Sequence, residues 1–177
     1  MGILLFWVAC LSALASSHTI LRVSAPPPLQ TFVIGLPHQK AAWEMPPSLR
    51  ICKNSGIDYF RVTQASRYWE KLGYRFDSIY VDSSPACSSP RYGEIIITLP
   101  DGTLDPRHMA ATKIYTHTKS GFIVKAKIFI TPRNARKQRV LEHEIGHAFG
   151  WSHYNQKFHM MNSNWFLGGY DSKGLHK

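Results

Sequence analysis

The chain has 177 residues, of which 44% are hydrophobic, so it is long enough for one domain with a proper core and too short for two domains of ordinary size. Its formal net charge of +10 raises the question of nucleic acid, but the Lys and Arg residues are spread along the chain and no DNA- or RNA-binding module is recognisable. We therefore expect no nucleic-acid partner and interpret the charge as a solvated basic surface, which leaves acidic substrates and anionic cell surfaces open.

The first 15 residues have the pattern of a secretory signal peptide. An apolar run at residues 3–9 is followed by Ala13-Leu14-Ala15, a small-x-small pattern typical of a signal-peptidase site, although no Lys or Arg precedes Arg22. The run is too short to span a membrane. We expect a secreted, extracellular or periplasmic protein; the alternative is that this run forms an N-terminal core strand.

Residues 16–49 are rich in proline and are predicted to form an N-terminal extension or pro-segment, in which residues 31–34 could add a short strand. The composition does not say whether this extension is removed. The folded domain is predicted to occupy residues 50–177.

Cys52 and Cys87 would remain in the exported chain, whereas Cys10 would leave with the signal peptide. Two cysteines in an oxidising compartment most often pair, so a disulfide between them is the first expectation. The alternative is a latency switch, in which the Cys52 thiolate that follows the Pro- and Arg-containing residues 46–50 blocks the functional site of the same chain.

A helix is predicted between Asp58, a good N-cap, and Gly73, where a helix would stop. Its apolar residues recur at intervals of three and four and form a stripe that faces the core. These residues are Val62, Ala65, Trp69 and Leu72. Strands are predicted next at residues 76–81 and 93–99, and three consecutive isoleucines in the second indicate burial on both faces.

The turn-rich residues 100–107 contain Asp101 and Asp105, which are too few carboxylates for a calcium site, so Ca²⁺ is not expected. A hairpin is predicted to follow, with strands at residues 112–116 and 122–130. In its second strand the apolar residues share one face while Lys125 and Lys127 point the other way, which suits the edge of a sheet.

A second helix is predicted to begin at Thr131-Pro132, with proline in its tolerated first-turn place. It carries His143 and His147, which lie about one turn apart on the same face, so both imidazoles can reach a single ion. Gly150 allows the backbone to leave the helix through a left-handed turn, which brings His153 round as a third ligand.

Three protein ligands leave a fourth position open, and an open fourth position on Zn²⁺ is typical of a catalytic site. A single catalytic Zn²⁺ is therefore expected. Glu144, next to the first ligand, is predicted to be the general base that takes the proton of an attacking water.

The pattern H-E-x-x-H-x-x-G-x-x-H over residues 143–153, followed by Met160 and Met161, resembles the signature of the metzincin zinc peptidases. The chain is most similar to a small matrixin-like catalytic domain from about Ile51 onwards. That resemblance implies an α+β fold with a twisted, mostly parallel sheet, an antiparallel edge strand, a backing helix and an active-site helix. It also assigns Met161, eight residues after His153, to the methionine turn beneath the ligands, with Met160 as the alternative.

The chain departs from the matrixin pattern after Met161, where it continues as Asn162-Ser163-Asn164-Trp165, so the C-terminal subdomain is expected to be minimal. The resemblance implies a secreted zinc endopeptidase, which we expect to be a monomer and to hold an extended peptide along the edge strand at residues 122–130. Two rivals stay open: a zinc hydrolase acting on non-protein amides such as peptidoglycan, and a zinc-containing binding module without peptidase activity.

Overall fold

The computed structural model describes residues 35–84, 87–102, 104–105 and 107–177 of the chain. The predicted signal peptide and the greater part of the predicted extension, including the strand expected at residues 31–34, lie outside the described residues. Residues 35–47 belong to the same compact unit as the rest of the chain that follows them.

Within these ranges the fold is α+β, with a five-stranded sheet and three α-helices. The strands are β1 (Ser48–Cys52), β2 (Ile79–Asp82), β3 (Glu94–Thr98), β4 (Ala110–Thr116) and β5 (Ile123–Ile130). The helices are α1 (Tyr59–Glu70), α2 (Pro132–Ala135) and α3 (Val140–Ala148). The expected α+β class is confirmed. In the part of the chain that the structure describes, no helix is long and apolar enough to cross a membrane.

The strand order across the sheet is β2-β1-β3-β5-β4, and only the β4–β5 pair is antiparallel. A mostly parallel sheet with an antiparallel edge strand is therefore correct, but the prediction that residues 122–130 form that edge is wrong. β5 is hydrogen-bonded on both sides, and β4 is the edge. The alternation of Lys125 and Lys127 with apolar residues shows which face of the strand is exposed to solvent. It does not show whether the backbone of the strand is hydrogen-bonded to a neighbour on one side or on both.

The sequence does not predict β1, because Arg50 interrupts its apolar pattern. The structure places this arginine in the middle of the strand at 2% exposure. Its guanidinium lies 2.9 Å from Asp82 Oδ2 of β2 and 2.9 Å from Glu94 Oε2 of β3. A buried cation that is paired on both sides is compatible with a central strand, whereas an unpaired one would not be.

The helix predicted after Asp58 is confirmed as α1. The Asp58 carboxylate accepts a hydrogen bond from the Phe60 backbone N–H at 2.7 Å, as an N-cap does, and the chain turns away at Gly73 with a φ of 94°. The predicted stripe is buried in the main core. Trp69 fixes α1 against α3, because its indole N–H donates to the backbone carbonyl of Glu142 at 2.8 Å.

The helix predicted from Thr131 is divided in two, which corrects the expectation of one continuous helix. Thr131 caps α2, whose Pro132 occupies the first turn, but α2 ends at Ala135. Arg139 then adopts a left-handed conformation with a φ of 69°, and α3 starts at the next residue. The Arg139 guanidinium donates to the Trp165 carbonyl at 2.6 Å, so a contact distant in sequence overrides the local helical pattern.

Cys52 and Cys87 form a disulfide, with their Cα atoms 5.5 Å apart and a sequence separation of 35. This confirms the first expectation and contradicts a free Cys52 thiolate acting as a switch. The two cysteines and Ile96 make a small second core. Since Ile95 and Ile97 belong to the main core, β3 is buried on both faces, as its three isoleucines predict.

Replacing both cysteines by serine should lower the free energy of unfolding by about 3–4 kcal/mol, because the bond restricts a loop of this length in the unfolded chain. Urea unfolding of the Cys52→Ser/Cys87→Ser variant and of the oxidised protein measures the difference. A reductant should move the unfolding midpoint of the wild-type protein to that of the variant and leave the variant unchanged. Equal midpoints for all samples would contradict the expected stabilisation.

Candidate metal centre

The structure brings the three predicted histidines together at the end of α3. The candidate ligand atoms of His143, His147 and His153 all lie within 4.8 Å of one another. The Nε2 atoms of His147 and His153 are 3.1 Å apart, close to the roughly 3.3 Å between two imidazole nitrogens around one tetrahedral zinc ion. The donor set and its spacing therefore fit a single Zn²⁺.

Backbone carbonyls set the tautomers of the two helical histidines. His143 Nδ1 lies 2.8 Å from the Met160 carbonyl oxygen, and His147 Nδ1 lies 2.7 Å from the Trp151 carbonyl oxygen. Because a carbonyl only accepts, each Nδ1 carries the proton and donates it. Each Nε2 is then left with a lone pair for a metal, the arrangement that histidine ligands in metal sites usually show.

The environment also keeps these imidazoles uncharged. Burial lowers the pKa of His143 to about 4 and the pKa of His147 to about 3. Burial, followed by the positive charge of Lys40, lowers the pKa of His153 below its ordinary value. All three rings are therefore neutral at pH 7 without a metal, so binding an ion does not require a proton to be displaced from them.

Gly150 turns the chain from α3 towards His153, as predicted. Its φ is 90°, and the Ala41 carbonyl oxygen occupies the place where a Cβ atom would be. Lys40 N donates to the Gly150 carbonyl at 2.9 Å, and Ser152 N donates to the His38 carbonyl at 2.9 Å. The third histidine is thus positioned by an N-terminal segment as well as by the turn itself.

Side chains from the same N-terminal segment cap the end of α3. Gln39 Nε2 donates to the Phe149 carbonyl at 2.8 Å, and Trp43 Nε1 donates to the Ala148 carbonyl at 2.8 Å. These carbonyls have no partners within the helix, so the two side chains satisfy groups that would otherwise need water. We refer to residues 38–43 as the N-terminal strap.

Gly146, inside the histidine motif, allows two core side chains to approach the helix. A Cβ atom there would lie 2.5 Å from Met161 Sδ and 2.6 Å from Trp69 Cζ2. The fully buried Met161 therefore packs directly on the turn of α3 that joins the two helical histidines. This is where the family resemblance puts the methionine of a methionine turn, although its role beneath a bound metal stays a prediction.

Gly146→Ala should lower the free energy of unfolding by about 1–3 kcal/mol, because the methyl group overpacks the core even though alanine favours a helix. Thermal unfolding of the metal-free protein measures the loss. Gly35→Ala is the control, since a Cβ atom there meets nothing within 4 Å, and it should leave the stability unchanged. A Gly146→Ala variant as stable as the wild-type protein would show that the core adjusts freely at this point.

Glu144 lies between the first two histidines in sequence and faces the edge strand. Its side chain is buried, and its Oε2 accepts a hydrogen bond from the Thr112 hydroxyl of β4 at 2.7 Å. Burial raises the pKa of Glu144 to about 7, and the Thr112 hydrogen bond opposes that rise. A carboxyl with a pKa near neutrality is well matched to accepting and returning a proton at physiological pH.

In the metal-free protein, Glu144→Gln should increase stability at high pH only. The folded state raises the carboxyl pKa from its ordinary 4.5 to about 7, so the folded protein retains a proton that the unfolded chain has released. The free energy of unfolding of the wild-type protein therefore falls as the pH rises from 4.5 to about 7. The Glu144→Gln variant does not lose this stability, because its amide stays neutral. Urea unfolding should give the variant an advantage of about 1–3 kcal/mol at pH 8 and nearly none at pH 4. The same advantage at both pH values would rule out a buried charge as its cause.

The histidines and Glu144 line a cleft of about 520 Å³. One wall is the edge strand β4, which contributes Thr112 and Ile114, and another is the loop that contains Ser163 and Trp165. Lys40 of the strap lines it too. The sequence alone does not reveal the contributions of Thr112, the Met160 carbonyl and Lys40. Thr112 has no motif of its own, and only the observed strand pairing shows that its side chain faces α3.

No family model, curated protein or solved structure matches the chain.

Proposed function

We propose that the protein is a secreted zinc-dependent endopeptidase that hydrolyses peptide bonds with Glu144 as its general base. One observation carries the proposal: three neutral imidazoles converge beside a buried carboxyl group of raised pKa, at the wall of a cleft. A structural zinc site usually fills its fourth position with protein, whereas a catalytic site leaves it open beside a base. The metzincin-like motif supports the same conclusion.

His143, His147 and His153 would hold the metal. Zn²⁺ bound there would supply Lewis-acid chemistry, which polarises a scissile carbonyl and makes a water molecule acidic enough to deprotonate near neutral pH. The softness of imidazole nitrogen suits zinc, and no carboxylate competes within this set of three.

Glu144 would move the proton. Thr112 occupies its Oε2 and holds the carboxylate in one orientation, which leaves Oε1 to accept a proton from the attacking water. The same oxygen would return that proton to the amine that leaves when the peptide bond breaks. The Thr112 hydroxyl also lies 3.1 Å from the Glu144 backbone carbonyl, so it ties β4 to α3 at the reacting position.

The substrate would lie along β4. As the edge strand, β4 has one side without a strand partner among the residues that the structure describes, and an extended peptide could be held there by main-chain hydrogen bonds. Thr112 and Ile114 of this strand line the cleft, so a peptide paired with β4 would pass over the histidines. This transfers the peptide-binding role from residues 122–130, where the sequence suggested it, to β4.

The test is a comparison of substrates. The purified protein, loaded with one equivalent of Zn²⁺, is incubated with denatured casein and with peptidoglycan, each with and without a chelator. We expect casein to be cleaved at internal peptide bonds, the chelator to abolish this cleavage, and no fragments to be released from peptidoglycan. Release from peptidoglycan alone would favour a hydrolase of non-protein amides, and zinc binding without any hydrolysis would favour a binding module.

A further inference from the structure

The positive charge of the chain is concentrated in one stretch. Residues 106–141 hold nine of the 21 Lys and Arg residues and none of the 11 Asp and Glu residues. The 12 remaining cations nearly balance the acids. The net charge is therefore largely a property of the β4–β5 hairpin and the residues after it, even though other cations are spread along the chain.

Strand alternation gathers the lysines of this hairpin on one side of the sheet. Thr112 and Ile114 of β4 point towards α3 and the cleft, so Lys113 and Tyr115 lie on the opposite side. In β5 the core residues alternate with Lys125 and Lys127 in the same way. We define the outer hairpin face as Lys113, Tyr115, Lys125, Lys127 and Phe129.

The outer hairpin face places like charges together. Lys113 stands directly opposite Lys127 in the antiparallel register, a pairing that destabilises a sheet. The ammonium groups of Lys113 and Lys125 lie 5.2 and 5.1 Å from the centre of the Tyr115 ring, so one ring collects two cations. Asp101 Oδ2 lies 3.4 Å from Lys127 Nζ. Asp101 neutralises part of this charge, and an anion bound at Lys113 and Lys125 would offset the repulsion that remains.

We propose that the outer hairpin face binds an anionic polysaccharide, whose sulfate or carboxylate groups lie against Lys113 and Lys125. Lys127, whose side chain is 13% exposed and paired with Asp101, adds its charge from beneath them. Every Lys or Arg in β4, β5 and the turn between them is lysine. Lysine offers a point charge, whereas nucleic acid and other phosphate ligands are more often met by the arginine fork. Tyr115 is only half-exposed and Phe129 is buried, so this face has no protruding apolar side chain to insert into a lipid bilayer.

The location of the outer hairpin face would allow the protein to be attached to a polysaccharide without blocking its cleft. The residues of β4 alternate between the outer hairpin face and the cleft, so a polysaccharide bound on one side leaves the other side open. The protein would be held on an acidic extracellular matrix or coat with its cleft exposed. This binding does not depend on the proposed hydrolysis, and it persists if the protein proves to have no peptidase activity.

The test uses heparin as the sulfated probe and neutral dextran as the uncharged one, at about physiological salt. The full chain should bind heparin and not dextran. The variant Lys113→Gln/Lys125→Gln/Lys127→Gln should bind heparin at least about tenfold more weakly. The matched control, Lys53→Gln/Lys71→Gln/Lys173→Gln, removes the same charge from exposed lysines elsewhere and should change the affinity less than about twofold.

A single charge-reversal variant distinguishes an effect on heparin binding from an effect on folding stability. Lys113→Glu converts the like-charge pair with Lys127 into an ion pair, so it should raise the urea midpoint of unfolding while weakening heparin binding. Equal losses in the two triple variants would overturn the proposal, because net charge alone would then explain binding. Binding to phosphatidylserine vesicles or to duplex DNA with heparin left unbound would also overturn it.

Discussion

Glu144→Gln should lower the kcat for casein-derived peptides by about 10³- to 10⁴-fold while one zinc ion per chain stays bound. Glutamine keeps the shape of the side chain and can still accept the Thr112 hydrogen bond through its amide oxygen. It cannot accept a proton from water, so the loss falls on the chemical step and leaves KM nearly unchanged. Single-turnover kinetics and metal analysis of the same sample measure the two quantities.

The control for this variant is Thr112→Val, which removes the hydrogen bond and leaves the carboxylate. Its kcat should fall much less than that of Glu144→Gln, since the base is present but less well oriented. If Glu144→Gln retained more than about a tenth of the wild-type rate, Glu144 would not be the general base.

His153→Ala should weaken zinc binding by at least about a hundredfold, because the loss of a direct ligand exceeds the effect of removing an outer hydrogen-bond partner. His143 and His147 would remain on α3, but their two nitrogens alone leave half of a tetrahedral site to water. A competition titration with a chromogenic chelator gives the affinity, and hydrolysis should disappear at zinc concentrations that saturate the wild-type protein.

His108→Ala is the matched control, because His108 lines the same cleft but does not belong to the group of three. It should bind zinc with wild-type affinity. Unchanged zinc affinity in His153→Ala, or an equal loss in both variants, would exclude the assignment of His153 as the third ligand.

The parts of this fold that local patterns encode were predictable. The stripe and N-cap of α1, the isoleucines of β3 and the turn at Gly150 each depend on residues within a few positions of one another. The histidine site was predictable for the same reason. Its three histidines lie within 11 residues, on one helix and the turn that ends it, so geometry fixed by the helix period brings them together.

The features that escaped prediction depend on contacts distant in sequence. Arg50 is compatible with a central strand only because Asp82 and Glu94 flank it. The break at Arg139 follows from a hydrogen bond to Trp165, and the choice of β4 as the edge follows from the pairing of β5 with β3. Thr112 of β4 donates a hydrogen bond to Glu144 of α3, 32 residues away in sequence. None of these partners is visible in the residues adjacent to the element concerned.

The contacts of the N-terminal strap bear on how the predicted N-terminal extension could be processed. Its residues hold the carbonyls that end α3 and the backbone on both sides of Trp151, and His153 follows two residues later. A protease that trimmed the chain back to residue 50 would remove a support of the third histidine rather than a cover over the cleft. If the chain is processed, a cut upstream of His38 would leave all of these contacts in place.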